Sequence, residues 1–546
     1  MGDRRTAIAL AAGCLAAYVA FGYGGIRSPD NEITFRVAES LLDGDGFTVA
    51  RPLEAWPGFG TAVGVDGREY SVFSPLPSLW MLPFVAAGRI FAATDLVQEG
   101  RWRAPPSFYV PDGVLGFVAD RDTGHHAAHA VRFVASLANA VAATLLVIVL
   151  WSVGRLIFAA PVVALATALL FGLGSLLVPY ATTTFSEPLA LLLVMLAFRT
   201  LVAADPELHA GGTDASPGQP RSAGSAGSAT PTASLATGLL LGLATTTHVS
   251  MILFAPFFAV LAIAPSWRRG DRRAVTRDAT AFVAGLAAVL AVLAAWNFAR
   301  FGSPWQTGRT VDLARHTEFA YGVWVAPWRG LHGLTIGLGK GLLVFSPAVI
   351  GGLIAWGTLQ RRSRLLGWTL AAAVTVRLVF IASRSDWHGG FSTGPRLLLA
   401  AVPFLLLPVG LWLDRAVAGA RWRRVAVWLV FAWACVTEQL WLALGEVFSY
   451  SHQLKFVLQS QGVDAFVDDA IYLRWETSPL GLLRWKRGPW LLRGLSLDDA
   501  AILTIGVLVV VLGCLLLFRA ARSQSGRADG LPDALASTVP PASTET

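Results

Sequence analysis

The sequence predicts an all-α polytopic membrane protein, and three observations predict it. Of 546 residues, 54% are hydrophobic and only 14% are charged, with a mean hydropathy of +0.57. A soluble chain of this length carries about a quarter charged residues. The apolar residues come in repeated runs of roughly 18–22, the length of helix that crosses the hydrocarbon. Positive charge falls in short clusters between those runs: Arg4-Arg5, Arg155, Arg268-Arg269-Arg272-Arg273, Arg361-Arg362-Arg364, Arg421-Arg423-Arg424 and Arg519-Arg522. Short Arg-rich loops stay cytoplasmic. The net charge of +8 therefore speaks to orientation. No basic-aromatic platform points to nucleic acid.

The apolar runs, in order, are 7–24, 131–151, 156–178, 187–203, 234–248, 250–264, 280–298, 337–358, 364–382, 396–413, 424–444 and 500–518. The first follows Asp3-Arg4-Arg5 and reads as a retained signal anchor. A further run, 72–93, is broken by Pro75, Pro77 and Pro83 and ends at Arg89. If 72–93 is juxtamembrane or re-entrant and 234–264 is a tight helical pair, every Arg cluster lies on one side. A full crossing by 72–93 would place the five later clusters outside. The expectation is therefore about twelve spans in the cytoplasmic (inner) membrane, with both termini cytoplasmic. Outside lie a long first loop (25–130) carrying juxtamembrane helices, 180–188, 300–335, 383–396 and a late loop (446–498). Inside lies 204–233, whose Gly, Ser, Ala and Pro read as a flexible linker. Residues 1–522 form one membrane domain, and the polar tail 523–546 reads as disordered.

Cys14, Cys435 and Cys514 all sit in apolar runs, as packing residues rather than a disulfide or metal framework. His125, His126 and His129 have no cysteine nearby to complete a metal site. No phosphate loop of the ATP-binding kind occurs.

The candidate chemistry collects on the outer face. Asp30 and Glu32, in Asp30-Asn31-Glu32, stand just past the first run, and either can serve as a general base. Glu187 opens a span; it equally suits a helix first turn, after Ser186 and beside Pro188. Arg377 lies inside 364–382, where a charge is costly unless it pairs or snorkels, and Glu438 is a candidate partner. Asp386, His388 and Arg396 lie in the polar stretch Ser383–Arg396, rich in glycine. Arg recognises phosphate by bidentate hydrogen bonds. Lys340, one of three lysines, stands in Gly339-Lys340-Gly341 at a boundary, where snorkelling explains it as well as phosphate does. His248 reads as a turn residue between two short spans. Tyr70 belongs to the turn-rich Asp66-Gly67-Arg68-Glu69-Tyr70.

Taken in order, these segments resemble the membrane-embedded C-type glycosyltransferases, specifically bacterial relatives of the dolichyl-phosphate-mannose–protein mannosyltransferase family. The matching parts are Asp30-Asn31-Glu32 with Ala38 and Leu41-Leu42, Tyr70 to Pro77, Tyr180 to Pro188, and Asn297 to Pro304. Gly339-Lys340-Gly341 to Pro347 and Trp387-His388-Gly389-Gly390 to Pro395-Arg396 complete them. Asn31 separates acids that many relatives hold adjacent, and Ser74-Pro75-Leu76-Pro77 lacks their His-Pro-Pro.

The resemblance implies a glycosyltransferase that takes sugar from a polyprenyl-phosphate-linked donor on the extracytoplasmic face, with inversion. The acceptor would be a glycan, lipid or protein, as in protein glycosylation or cell-envelope assembly. Asp30 or Glu32 would be the base and Glu187 a second acid. Arg396, with His388, Lys340 and Arg377, would meet the donor phosphate, and Asp386 and Tyr70 would lie on the acceptor or loop side. The resemblance fixes no cofactor, and a divalent cation is left open. The rival is a transporter or flippase of envelope-glycan precursors, in which polar groups would stand at mid-depth. Here they gather at the outer boundary.

Overall fold

The computed structural model describes residues 2–22, 24–54, 57–105, 107, 110, 125–209, 229–313, 323–390, 392–418, 422–444 and 472–473. The expected span 500–518, nearly all of the late loop 446–498, residues 210–228 of the linker, the tail 523–546 and Cys514 lie outside them.

Among the described residues, eight helices are long and apolar enough to cross a membrane. The chain is thus an all-α, multi-pass membrane protein. It opens with α1 (Gly2–Phe21) and α2 (Pro29–Asp43). A two-stranded hairpin follows, β1 (Thr61–Val63) antiparallel to β2 (Glu69–Ser71), with Thr61 opposite Ser71. Then come α3 (Pro75–Ala92), α4 (Asp95–Gln98), α5 (His126–Ile157), α6 (Pro161–Leu173), α7 (Leu177–Ala181) and α8 (Glu187–Ala204). The second half holds α9 (Ala229–Thr247), α10 (Ala255–Arg268), α11 (Arg272–Phe301), α12 (Gly308–Leu313) and α13 (Pro327–Thr335). It closes with α14 (Leu342–Phe345), α15 (Ala348–Arg362), α16 (Arg364–Ala382), α17 (Val402–Ala418) and α18 (Trp422–Leu444).

Helix α5, at 32 residues, is about 48 Å long, well beyond the ~30 Å hydrocarbon. Its later part matches α1: Arg155 pairs with Asp3, and Tyr18 and Val147 meet at Gly172. Its first turns overhang that match, and α3 packs antiparallel on the overhang. Trp80 donates to the Ala138 carbonyl at 3.0 Å, and Gly88 lies against the Val131 backbone. So α3, although long enough to cross, runs beyond the level at which α1 ends. Pro75 takes a first-turn position, where its missing N–H costs nothing, and Pro83 is carried inside the helix.

Helices α9 and α11 run parallel. A Cβ on Gly238 would meet Phe282 and Leu286, one on Gly242 would meet Val289, and one on Gly285 would meet Leu235 and Leu239. Small residues four apart let two membrane helices approach closely. Parallel neighbours require α10 to return between them, so 234–264 is a helical pair.

Two expected spans are corrected. Over 156–178 the helix is broken at 158–160 and 174–176, leaving α6 at 13 residues between the end of α5 and the start of α7. Over 337–358 the chain does not form a single helix: 337–341 is turn, α14 is a single turn, and α15 begins only after Pro347. Gly337, Gly339, Gly341 and Pro347 interrupt it, and Lys340 consequently lies in a turn.

Charge separates along the bundle. Arg155–Asp3, Arg268–Asp205 at 2.5 Å, and Asp414, which accepts from the Ala159 and Ala160 N–H groups at 2.9 Å, share one end. The C-terminal end of α1 and the N-terminal ends of α2, α5 and α8 meet at the other.

Candidate active site

Helix α2 sets the first acid. Ser28 is extended, Pro29 fixes the first helical φ, and Asp30 follows in the first turn, where a carboxylate complements the helix dipole. The Asp30 side chain keeps 29% exposure.

Arg396 Nη1 stands 3.7 Å from Asp30 Oδ2, and its Nε stands 3.7 Å from Glu187 Oε1. The guanidinium lies 4.7 Å from the centroid of the Phe185 ring, a cation–π arrangement. One cation therefore faces two carboxylates. Glu187 is buried at the start of α8, and its Oε2 has no hydrogen-bond partner among the described residues. Asn139 on α5 holds this acid's loop: its amide donates to the Phe185 carbonyl at 2.6 Å and to the Tyr180 carbonyl at 3.3 Å. The Tyr180 hydroxyl in turn donates to the Thr393 carbonyl at 2.6 Å. Gly389 has a φ of 65°, in the left-handed region that favours glycine, and a Cβ there would also crowd Arg396 Cγ and Nε at 3.2 Å.

Glu32 is not brought to this cluster. It is fully buried, accepts from Arg36 Nε at 3.0 Å and from Arg132 through Nε at 3.0 Å and Nη2 at 2.5 Å. Burial alone would push its carboxyl up. The charges and hydrogen bonds of Arg132 and Arg36 outweigh that and hold it below the usual carboxylate range. Arg36 also donates to the Arg51 and Pro52 carbonyls at 2.8 Å. Glu32 thus fastens α2 to α5 and to the loop beyond.

Lys340 is buried and its ammonium donates to three oxygens: the Gly390 carbonyl at 2.6 Å, the Ser392 carbonyl at 2.5 Å and Ser392 Oγ at 3.3 Å. Burial, with the Arg396 charge nearby, pulls its pKa well down. These contacts make it an internal staple of the loop that carries Arg396. Arg377 likewise serves backbone: it donates to the Leu397 carbonyl at 3.0 and 2.7 Å and to the Ser250 carbonyl at 3.1 Å. Glu438 was one candidate partner; the hydrogen bonds of Arg377 go to carbonyls instead.

His388 accepts at Nδ1 from the Gly390 N–H at 2.9 Å, which leaves its proton on Nε2, and it stacks on Tyr472 at 3.9 Å. Burial and the Lys340 charge lower its pKa to about 3, so the ring is neutral. Asp386 forms a two-pronged pair with Arg384 at 2.6 and 2.7 Å; that partner keeps it ionised against burial. Tyr70 lies on the hairpin instead, donating to Asp66 at 2.7 Å with its ring edge-on to Phe301. His248 shares a 2.9 Å hydrogen bond with Ser250. His129 Nδ1 accepts from the Ser107 N–H at 3.1 Å, and no group of three metal-ligating side chains forms among the described residues.

Sequence reasoning brought Asp30, Glu187 and Arg396 to one face. It missed Arg36 and Arg132 as partners of Glu32, Asn139 as a clamp, Phe185 beneath the guanidinium, and Tyr472 over His388. Only Arg36 carried a readable signal, four residues after Glu32 on one helix.

No protein-family profile matches the chain, and no curated protein is significantly similar. Among solved structures, the chain is similar to ArnT from Cupriavidus metallidurans in the apo state (15% identity, TM-score 0.44, covering 90% of this chain and 80% of that one). The form of ArnT bound to undecaprenyl phosphate matches at 13% identity and TM-score 0.43, with the same coverage. The archaeal oligosaccharyltransferase AglB from Archaeoglobus fulgidus, in complex with an inhibitory peptide and a dolichol-phosphate, matches at 14% identity and TM-score 0.44. That match covers 86% of this chain and 59% of AglB. Likeness of this size assigns no chemistry.

Proposed function

We propose that this protein is a glycosyltransferase that moves a sugar from a polyprenyl-phosphate-linked donor to an acceptor hydroxyl at the extracytoplasmic face of the cytoplasmic membrane. The carrying observation is the part-exposed Asp30 carboxylate 3.7 Å from the Arg396 guanidinium, which Phe185 and Glu187 back. The sequence resemblance set out above supports the same reading.

The step balances as a displacement. The acceptor oxygen attacks the anomeric carbon from the face opposite the phosphate, and Asp30 takes the acceptor proton. The bond from the anomeric carbon to the phosphate oxygen breaks, its electron pair leaves with the polyprenyl phosphate, and the sugar carbon inverts. A carboxylate within hydrogen-bond reach of the proton contributes ~10²–10⁴-fold as a general base. Arg396 meets the charge that grows on the leaving phosphate, where a preorganised cation is most effective. The Nε2–H of neutral His388 is a further donor for the sugar or phosphate. Lys340 and Arg377 hold the Arg396 loop in place.

The Arg-rich end of the bundle faces the cytoplasm by the positive-inside rule, so the acids face out. The test is sugar transfer from polyprenyl-phosphate donors in membranes holding the full chain. Asp30→Asn is expected to lose ~10²-fold or more, and undiminished transfer in that variant would remove the base assignment.

A further inference from the structure

Away from these acids, the segment 323–338 presents an apolar face that none of the described residues covers. One side of α13 is buried: Gly330 lies on the Ala382 backbone at the end of α16, Gly333 lies under the Trp387 ring, and Leu334 is enclosed. The other side turns outward. Trp328 is 76% exposed, Trp324 60% and Ile336 55%. Aromatic and branched side chains of this size rarely stand together in water without a partner.

The level of this face is set by α16. The Trp324 ring meets Phe380 edge-on at 5.3 Å, in the last turn of that span. Helix α16 itself leaves Trp368, Val376 and Val379 exposed. The uncovered face of 323–338 therefore continues the lipid-facing side of a membrane helix and lies where that helix ends. Exposed Arg329 stands beside Trp328, the pairing of a cation and an amphipathic ring that suits the headgroup layer.

We propose that residues 323–338 form an in-plane interfacial anchor. Trp324, Trp328 and Ile336 insert among the phospholipid headgroups and upper acyl carbons of the leaflet on the acid-bearing side. The anchor is tied to the polar loop. Trp324 bridges Arg384, the Val325 N–H donates to the Ser383 carbonyl at 2.8 Å, and the Ser385 N–H donates to the Val323 carbonyl at 3.0 Å. It also runs directly into Lys340. The headgroup layer thereby fixes the height of the loop that carries His388 and Arg396.

The test uses the full chain in nanodiscs of phosphatidylcholine and phosphatidylglycerol. W328C and, separately, I336C carry an environment-sensitive fluorophore, with the identically treated unmutated chain as blank and the free dye conjugate as the aqueous reference. The expected result is a blue shift, loss of most emission to lipid with a nitroxide high on the acyl chain, a smaller loss to a nitroxide near the chain end, and weak quenching by iodide. Iodide quenching equal to that of the free conjugate would overturn the proposal, as would protection from both quenchers, which would show the face covered by protein. Two positions keep the test decisive if one variant fails to fold.

Discussion

Asp30 and Glu32 are two residues apart and do different work. Asp30 faces Arg396 and keeps a part-exposed oxygen; Glu32 is enclosed by Arg36 and Arg132. Asp30→Asn should therefore lose transfer with little change in melting temperature. Glu32→Gln should lose stability first, because removing one partner of a buried ion pair costs ~3–5 kcal/mol. Thermal unfolding of the two variants checks this, and equal stability would sink the division of labour. The pH dependence follows in sign. Glu32 has a depressed folded-state pKa, so its contribution is present above the usual carboxylate range and is lost as pH falls through the folded value. The gap in melting temperature between wild type and Glu32→Gln should narrow on acidification below roughly pH 4. The sequence made both acids visible but could not divide them, since Arg132 lies one hundred positions from Glu32. Only tertiary contact supplies that information.

At the scale of elements, the close pairing of α9 and α11 rests on glycine. Gly238→Leu should force the two helices apart and lower the melting temperature or yield. Gly13→Ala, on an open face of α1 with nothing within 4 Å, should be tolerated. Comparing the two in one thermal assay separates close packing from a general intolerance of side chains. Most helices were legible because apolar runs of span length have few other readings in lipid. The expected span at 337–358 failed for a reason also written in the chain. Gly337, Gly339, Gly341 and Pro347 interrupt helical backbone, and an average over the window hides them. Residues 72–93 show the converse. Their prolines suggested breaks, yet Pro75 and Pro77 fall near a helix start and the helix forms.

For the whole molecule, the separation of charge between the two ends makes topology testable. A cysteine placed at Val65 should react with an impermeant thiol reagent from the outside of intact cells, and one placed at Arg269 only after lysis. The reverse pattern would invert the proposed orientation. Chelation should leave transfer unchanged, since Asp30 and Glu187 already face a guanidinium; loss of transfer in EDTA and its return with a divalent cation would require a metal in the mechanism. The sequence placed Asp30, Glu187 and Arg396 on one side through their positions relative to the Arg clusters. It could not say that they touch, because that depends on how α2, α8 and the segment before α17 pack.

Asn139 and Arg132 lie seven residues apart on α5, two turns along one face. Through Glu32, Arg132 holds the helix that bears Asp30; through two carbonyls, Asn139 holds the loop that leads to Glu187. Both acids are thus mounted on a single rod, like the fixed jaw of a vice. Tilting α5 would carry them together and preserve their spacing. Arg396 is mounted on a second segment, anchored by Arg377 and Lys340 and tied to the rod through the Tyr180 hydroxyl, which donates to the Thr393 carbonyl. If the proposed lipid-linked donor binds here, the gap between that jaw and the cation is spanned by that hydrogen bond, so selection for donor size is expected to act on the Arg396 mount rather than on the acids.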